Sequence, residues 1–415
     1  MAGAINLKKD EVIVFLGGMN AMPMVYAVEL RRLGYEVIYF VDVPSKNLLS
    51  RPENHFPEIS YPYPDWVVEM ILPSQIFLPL IPRFFVMLYM RKIKKMTGKK
   101  ISCFMLNGFF SSLSPYLYRT SKKVALTHGS DLDVWGDIDG VDGLVSGFKR
   151  KSIFRYLPSV FSRVLIGKII NAQYFGYGKS DVVVYFPKGL SSSGDRVVEK
   201  LVKEGACYIP RYDISFEPLK GVSRELKATS SIVNIFCGVR FLFKSFSSSN
   251  KGENKGNDII IEGLSKYYSV NKNIRIHFVE KGPDVELAKD LCRRLHLEDA
   301  VVWHGEMKFK ELLALYEMSD ICFDQVGEHW VGAIGGYAMW LGKPLIANVD
   351  SAVTSGVWPP DNPVCSAKSS SEIFEWLVKL EDEELRQQIS VRSKKFVEDY
   401  MAPGLVLNKV FKFLD

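Results

Sequence analysis

The sequence has no Cys-x-x-Cys pair, no Gly-x-Gly-x-x-Gly turn and no uninterrupted apolar run long enough to cross a bilayer. Each absence removes a class of protein. Without paired cysteines, the thiols of Cys103, Cys207, Cys237, Cys292, Cys322 and Cys365 read as reduced and mostly buried in a cytosolic protein. Without the dinucleotide fingerprint, a nicotinamide enzyme is disfavoured. Ile71 to Met90 comes nearest to membrane-span length, but Pro73, Pro79, Pro82 and Arg83 interrupt it, so it suits an interfacial element and not a spanning helix. Met1 to Asp10 is too short and too polar for a secretory signal. His304, His329 and the carboxylates show no metal-ligand spacing, so no metal is expected. Acids are missing altogether from 83–100 and from 149–179, yet the formal charge is only +6. With no RNA-binding module or zinc finger beside it, that mild charge gives no reason to expect a nucleic-acid partner.

What is present is enough apolar residue for two cores: 415 residues, 47% of them hydrophobic. Val12–Leu16 reads as a strand, Gly17-Gly18-Met19-Asn20 as a tight turn, Ala21–Leu33 as a helix stopped by Gly34, and Val37–Val41 as a second strand. That is the βαβ opening of a doubly wound sheet. Ile101–Leu106, Lys123–Thr127 and Val182–Phe186 continue it. Turn formers from Tyr208 to Pro218 mark a linker, after which the alternation restarts with strands at Ile232–Cys237, Arg275–Glu280, Ala300–Trp303, Ile321–Asp324 and Pro344–Ala347. Ser245–Gly256 is a low-complexity loop. The expectation is an α/β protein of two Rossmann-like, doubly wound parallel-sheet domains. The first spans 1–212 with the C-terminal helix 400–415 returning to it, and the second spans 213–399.

Loops at the carboxyl ends of strands line the ligand crevice of such sheets. Arg240 follows the first strand of the second domain, where its planar fork suits two phosphate oxygens, and Lys255 or Lys244 would add a point charge. Gly332, Ala333, Ile334, Gly335 and Gly336 offer unobstructed backbone N–H groups at a helix N-terminus, which suits phosphate, although glycines there also permit close packing. Asp324 and Gln325 end a late strand, either to meet ligand hydroxyls or to cap a turn.

Gly238-Val239-Arg240, Lys255-Gly256-Asn257-Asp258, Gly282-Pro283-Asp284, Trp303-His304-Gly305, Glu311-Leu312-Leu313 and Ala338-Met339-Trp340-Leu341-Gly342-Lys343-Pro344 fall in an order that resembles the family 4 glycosyltransferases of the GT-B fold. The resemblance implies two domains facing a cleft, with Arg240 and Lys255 gripping a donor diphosphate. It also implies a metal-independent reaction without a cofactor, and retention of anomeric configuration. The insertion Phe241–Asn254 is longer than the family spacing, and the acidic motif departs further. Tyr337 stands where the family's second, ribose-binding glutamate falls, and His329 stands at the first position with Glu328 beside it. Either Glu328 substitutes through a shifted turn or the sugar is held differently. By the same resemblance, His128 in Thr127-His128-Gly129-Ser130-Asp131 faces the donor sugar, with Asp131 orienting it or an acceptor group. Gly17, Gly18 and Asn20 let an acceptor or phosphate approach the backbone.

The reading is therefore a glycosyltransferase moving a sugar from a nucleoside diphosphate to a glycan or lipid-linked acceptor in envelope polysaccharide or glycolipid assembly. A non-catalytic partner of the same fold and a nucleotide-sugar epimerase are the alternatives. The acid-free tracts interleave cations with Phe, Tyr, Leu and Ile, which suits peripheral contact with an anionic membrane at the inner face of the cytoplasmic membrane, or a core-facing helix with a basic outer face.

Overall fold

A computed structural model describes residues 9–56, 58–151, 156, 158–214, 232–245, 254–307, 309–327 and 331–414, the side chains of 148–151 and 310 excepted. The chain divides into two compact units, Met1–Tyr212 with Pro403–Asp415, and Asp213–Ala402.

The first unit is built on seven strands: β1 (Val12–Leu16), β2 (Glu36–Val41), β3 (Val67–Glu69), β4 (Ile101–Leu106), β5 (Lys122–Leu126), β6 (Val182–Tyr185) and β7 (Tyr208–Pro210). They lie in the order β3-β2-β1-β4-β5-β6-β7, and every pairing is parallel. A parallel sheet needs both faces covered, which is why its central strands are continuous apolar runs. Along β1, Ile13 and Phe15 enter one core while Val12, Val14 and Leu16 enter the other. The helices Met22–Arg32 and Pro403–Leu414 close the first face; Val406, Leu407, Val410, Phe411 and Leu414 are buried there, with Phe411 stacked on Tyr35. Pro403 starts that last helix, where its missing N–H costs nothing.

The first acid-free tract forms the helix Pro82–Met96, which buries Phe85, Tyr89, Met90 and Ile93 on the second face and leaves Arg91, Lys92, Lys94 and Lys95 exposed. Within Ile71–Met90, Leu72, Leu78, Phe85, Tyr89 and Met90 enter the core while Ile71, Phe77, Ile81, Phe84 and Met87 stay exposed. Among the described residues no helix is long and apolar enough to cross a membrane.

The second unit repeats the pattern with β8 (Val233–Cys237), β9 (Ile274–Val279), β10 (Val301–His304), β11 (Ile321–Phe323), β12 (Leu345–Ala347) and β13 (Cys365–Ser366), again all parallel, in the order β10-β9-β8-β11-β12-β13. Each sheet reverses its winding once, between β1 and β4 and between β8 and β11. At such a reversal the loops diverge to opposite faces and leave a crevice beyond the strand ends.

Candidate functional site

In the second unit the chain leaves β8 as Gly238-Val239-Arg240. A Cβ on Gly238 would lie 3.3 Å from Cγ2 of Ile334, so the missing side chain lets the end of β8 approach the start of the helix Ala333–Trp340. Arg240 is exposed, and among the described residues its guanidinium has no hydrogen-bond or ion-pair partner. Its stem passes over Gly282, whose φ is +119° and whose Cβ would meet Cγ of Arg240 at 2.8 Å and the carbonyl of Phe241 at 2.3 Å.

The segment after Arg240 is held from two sides. Asp284, fully buried, accepts from the N–H groups of Phe243 (2.7 Å), Lys244 (2.7 Å) and Ser245 (3.0 Å) and from the Ser245 hydroxyl. Opposite it, Leu242 donates to Oδ1 of Asn257 (3.0 Å) and accepts from Lys255 N–H (2.8 Å). Burial works to raise the Asp284 carboxyl, but the Ser245 hydroxyl and the backbone donors outweigh it and hold it below the ordinary range.

The two candidate lysines separate. Lys244 is exposed, with Nζ 3.8 Å from Oδ2 of Asp258. Lys255 lies in the crevice: its carbonyl accepts from Val326 N–H (3.2 Å), and its charge stabilises the Asp324 carboxylate. Gly256, at φ +70°, and Gly327 make this approach sterically feasible, since a Cβ on Gly327 would stand 2.0 Å from the Asn254 carbonyl.

Of the two expectations for Asp324, ligand contact and turn capping, the structure displays the capping geometry. Asp324 is buried, and its oxygens accept from the N–H groups of Gln325 (2.8 Å), Gly332 (2.6 Å) and Gly335 (3.1 Å). The turn-capping alternative holds because a buried carboxylate must be satisfied, and three backbone donors lie within reach. Burial still raises its carboxyl above the ordinary range. Its neighbour Gln325 is also buried, and the Gln325 carbonyl accepts from Asn348 N–H (3.1 Å). The phosphate cradle shrinks accordingly: the N–H groups of Gly332 and Gly335 are committed to Asp324 and that of Gly336 to the Gly332 carbonyl (3.0 Å). Ala333 and Ile334, in the first helical turn, have no intrahelical acceptor by position. Tyr337 packs edge-on against Phe309, with ring centres 5.0 Å apart, and burial pushes its hydroxyl up to about 12. Glu328 and His329 lie outside the described residues.

In the first unit, Gly17 and Gly18 follow β1 at the winding reversal. Gly17 has φ +90°, and its Cβ would stand 2.3 Å from the Asn107 carbonyl; the backbone of β1 therefore touches that of β4 where the strands diverge. Buried Asn107 fastens three strand ends, accepting from Met19 N–H (2.8 Å) and donating to the Leu126 carbonyl (2.6 Å). Asn20, at φ +54°, donates its N–H to the Ser50 hydroxyl (3.1 Å). Beside this turn stands Asp42, directly after β2, a residue that no motif singled out. It is buried, accepts from the Gln75 amide, and burial pushes its carboxyl up to about 6.

His128 and Asp131 follow β5. Of the two roles expected of Asp131, orienting the imidazole or an acceptor group, the hydrogen bonds do not include the first: its carboxylate accepts from the backbone N–H groups of His128 (2.9 Å) and Gly108 (3.2 Å). Burial pushes it up to about 7, and the Asp133 charge adds to the effect. The group on the imidazole is Arg211, whose Nη1 is 3.3 Å from Nδ1. Burial, and after it the Arg211 charge, brings the His128 imidazole down to about 3.

Two all-parallel Rossmann-like sheets with candidate groups at their winding reversals define the GT-B fold of glycosyltransferases, and solved structures of that architecture match nearly the whole chain. A glycosyltransferase from Rickettsia africae ESF-5 is similar over 98% of this chain and 99% of its own, at 15% identity and a TM-score of 0.60. Sucrose-phosphate synthase from Thermosynechococcus elongatus covers 97% of this chain and 99% of its own, at 12% identity and 0.58. A UDP-N-acetylglucosamine 2-epimerase described as putative, from Listeria monocytogenes, covers 98% and 96%, at 11% identity and 0.54. No protein-family model matches the chain, and no curated protein matches it in sequence.

Proposed function

We propose that this protein is a retaining glycosyltransferase. The second unit takes the diphosphate of a nucleotide sugar, and the first unit serves a glycan or lipid-linked acceptor in envelope polysaccharide or glycolipid assembly. The observation that carries the proposal is Arg240: an exposed guanidinium without a partner among the described residues, at the winding reversal of its sheet. Lys255 and the start of the helix Ala333–Trp340 adjoin the same strand ends. Cations and a helix N-terminus together favour the charge that develops on a departing diphosphate, and they do so without a divalent ion. His128 faces a sugar hydroxyl.

The test is a thermal-shift screen with uridine, guanosine and adenosine diphosphate sugars, followed by transfer to a glycan or polyprenyl-linked acceptor. One donor class should raise the melting temperature, as any ligand that binds only the folded state must. No shift with any donor would reject the transferase and leave the non-catalytic partner, for which the packing of Tyr337 against Phe309 is the favouring observation. Conversion of the donor sugar without an acceptor would make the chain an epimerase.

The same reading places the first unit on an anionic membrane at the cytoplasmic face. Phe77, Ile81, Phe84 and Met87 are exposed beside Arg83, Arg91 and Lys92, and the helix Phe77–Leu80 packs on the helix Ser159–Gly178, which exposes Val160, Phe161 and Val164. Each cation near such a surface contributes about 1 kcal/mol. The protein should float with vesicles containing phosphatidylglycerol and much less with phosphatidylcholine alone. Equal flotation with both would refute the electrostatic part.

A further inference from the structure

We infer that Arg211 is a positioning residue that fixes His128 as an imidazole with its hydrogen on Nε2, so that His128 meets substrate as a hydrogen-bond donor and not as a proton acceptor. The assignment of substrate rests on the function proposed above; the assignment of the tautomer does not.

The argument begins with an edge strand. Arg211 follows β7 and extends its ladder by donating its N–H to the Tyr185 carbonyl (2.8 Å). That carries its side chain, 2% exposed, over the ends of β5 and β6. There Nη1 donates to the Thr127 carbonyl (3.1 Å) and stands 3.3 Å from Nδ1 of His128, while the guanidinium lies 5.7 Å from the centre of the Phe186 ring. Thr127 is tied in turn to β6, its N–H and hydroxyl both donating to the Val184 carbonyl (3.0 and 2.7 Å).

A guanidinium has five N–H donors and no lone pair. Nδ1 must therefore offer its lone pair to Arg211, and the hydrogen of a neutral ring must sit on Nε2. A second proton would go to Nδ1, against both a cation and the Arg211 donor. Among the described residues no carboxylate is hydrogen-bonded to the ring, and Asp131 is turned to the His128 and Gly108 backbone N–H groups. Among the described residues Nε2 makes no hydrogen bond, which leaves its N–H for a ligand oxygen such as a sugar hydroxyl.

The experiment is nitrogen NMR on the full-length protein labelled in its histidines, with His128 assigned by comparison with His128→Gln. Wild-type His128 should show the Nε2–H tautomer and no titration between about pH 5 and 8, where an ordinary imidazole titrates near 6.5. In Arg211→Gln the titration should move up from its wild-type position, with burial still holding it below that ordinary range, and both tautomers should appear. Arg211→Lys, which keeps a charged donor, should restore the wild-type behaviour. In transfer assays Arg211→Gln should gain an acid limb in kcat that the wild type lacks. A wild-type His128 that carries its hydrogen on Nδ1, or that titrates near 6.5, overturns the inference even if Arg211→Gln does not fold. An unchanged ring in a folded Arg211→Gln overturns it equally. Absence of any donor binding would remove the transferase reading and leave the NMR outcome standing.

Discussion

Replacing Arg240 with alanine is expected to lower turnover by about 10²- to 10³-fold, the range found when one preorganised donor to a developing oxyanion is removed. The fold should be untouched. The guanidinium is exposed and has no partner among the described residues, so nothing buried loses a contact when it goes. Its backbone stays fixed by the neighbouring segment, which Asp284, Asn257 and Lys255 hold independently. Arg240→Lys should recover only part of the activity, since an ammonium keeps the charge but not the planar fork that engages two phosphate oxygens together. Initial rates, read beside the urea midpoint of the same variants, check this. Wild-type turnover in Arg240→Ala would remove the donor-site assignment.

Asp284→Ala should be the more damaging change to stability. It leaves three backbone N–H groups and a hydroxyl without their acceptor, one of the three backbone bonds buried and the other two part-buried in the loop after β8. Orphaned donors cost about 1–3 kcal/mol each, partly relieved where water reaches Lys244 and Ser245, so a loss of about 3–5 kcal/mol is expected from urea unfolding. Because the same loop carries Arg240, donor affinity should fall with stability.

Asp284 also sets an acid response with a definite sign. Its folded carboxyl titrates below the ordinary value of 3.8, so the unfolded chain binds the proton more tightly. Its contribution is complete above that value and is lost as pH falls through the lower, folded value. Asp131 acts in the opposite sense, since its folded value is near 7, and its contribution declines as pH rises from about 4 to 7. Urea midpoints measured from about pH 3 to 5 should show the acid loss in wild type and not in Asp284→Asn. A parallel loss in both would show that Asp284 is not its source.

The long strands were legible because a strand buried on both faces is mostly apolar: β1 and β6 are unbroken apolar runs, and β2, β4, β8 and β9 keep apolar residues at most positions. Three strands went unread: β3, β7 and β13, each an edge of two or three residues. β7 sits inside the Tyr208-Ile209-Pro210 stretch that reads as a linker, and it accepts a proline because it is an edge strand, with no strand on its outer side among the described residues. The last helix shows the same limit, since Pro403 reads as a break and in fact begins the helix.

The site divided in the same way. Arg240 and the glycines around it were readable from place alone, because a group directly after a central strand is delivered to the winding reversal whatever surrounds it. Lys255 could not be told from Lys244 until Asp258 and Asp324 were seen to stand beside different lysines. Asp324 read equally as a ligand contact or a turn cap, and Asp131 as an orienting group; both bind backbone donors that lie several to many residues away along the chain. Arg211 gave no sign of touching His128, 83 positions earlier. The sequence by itself determined two wound sheets and which strand ends carry charge, since periodicity and burial act within a few residues. The tertiary structure decided which polar groups are free to meet a substrate and which are already held, because that depends on partners that only folding brings within hydrogen-bond reach.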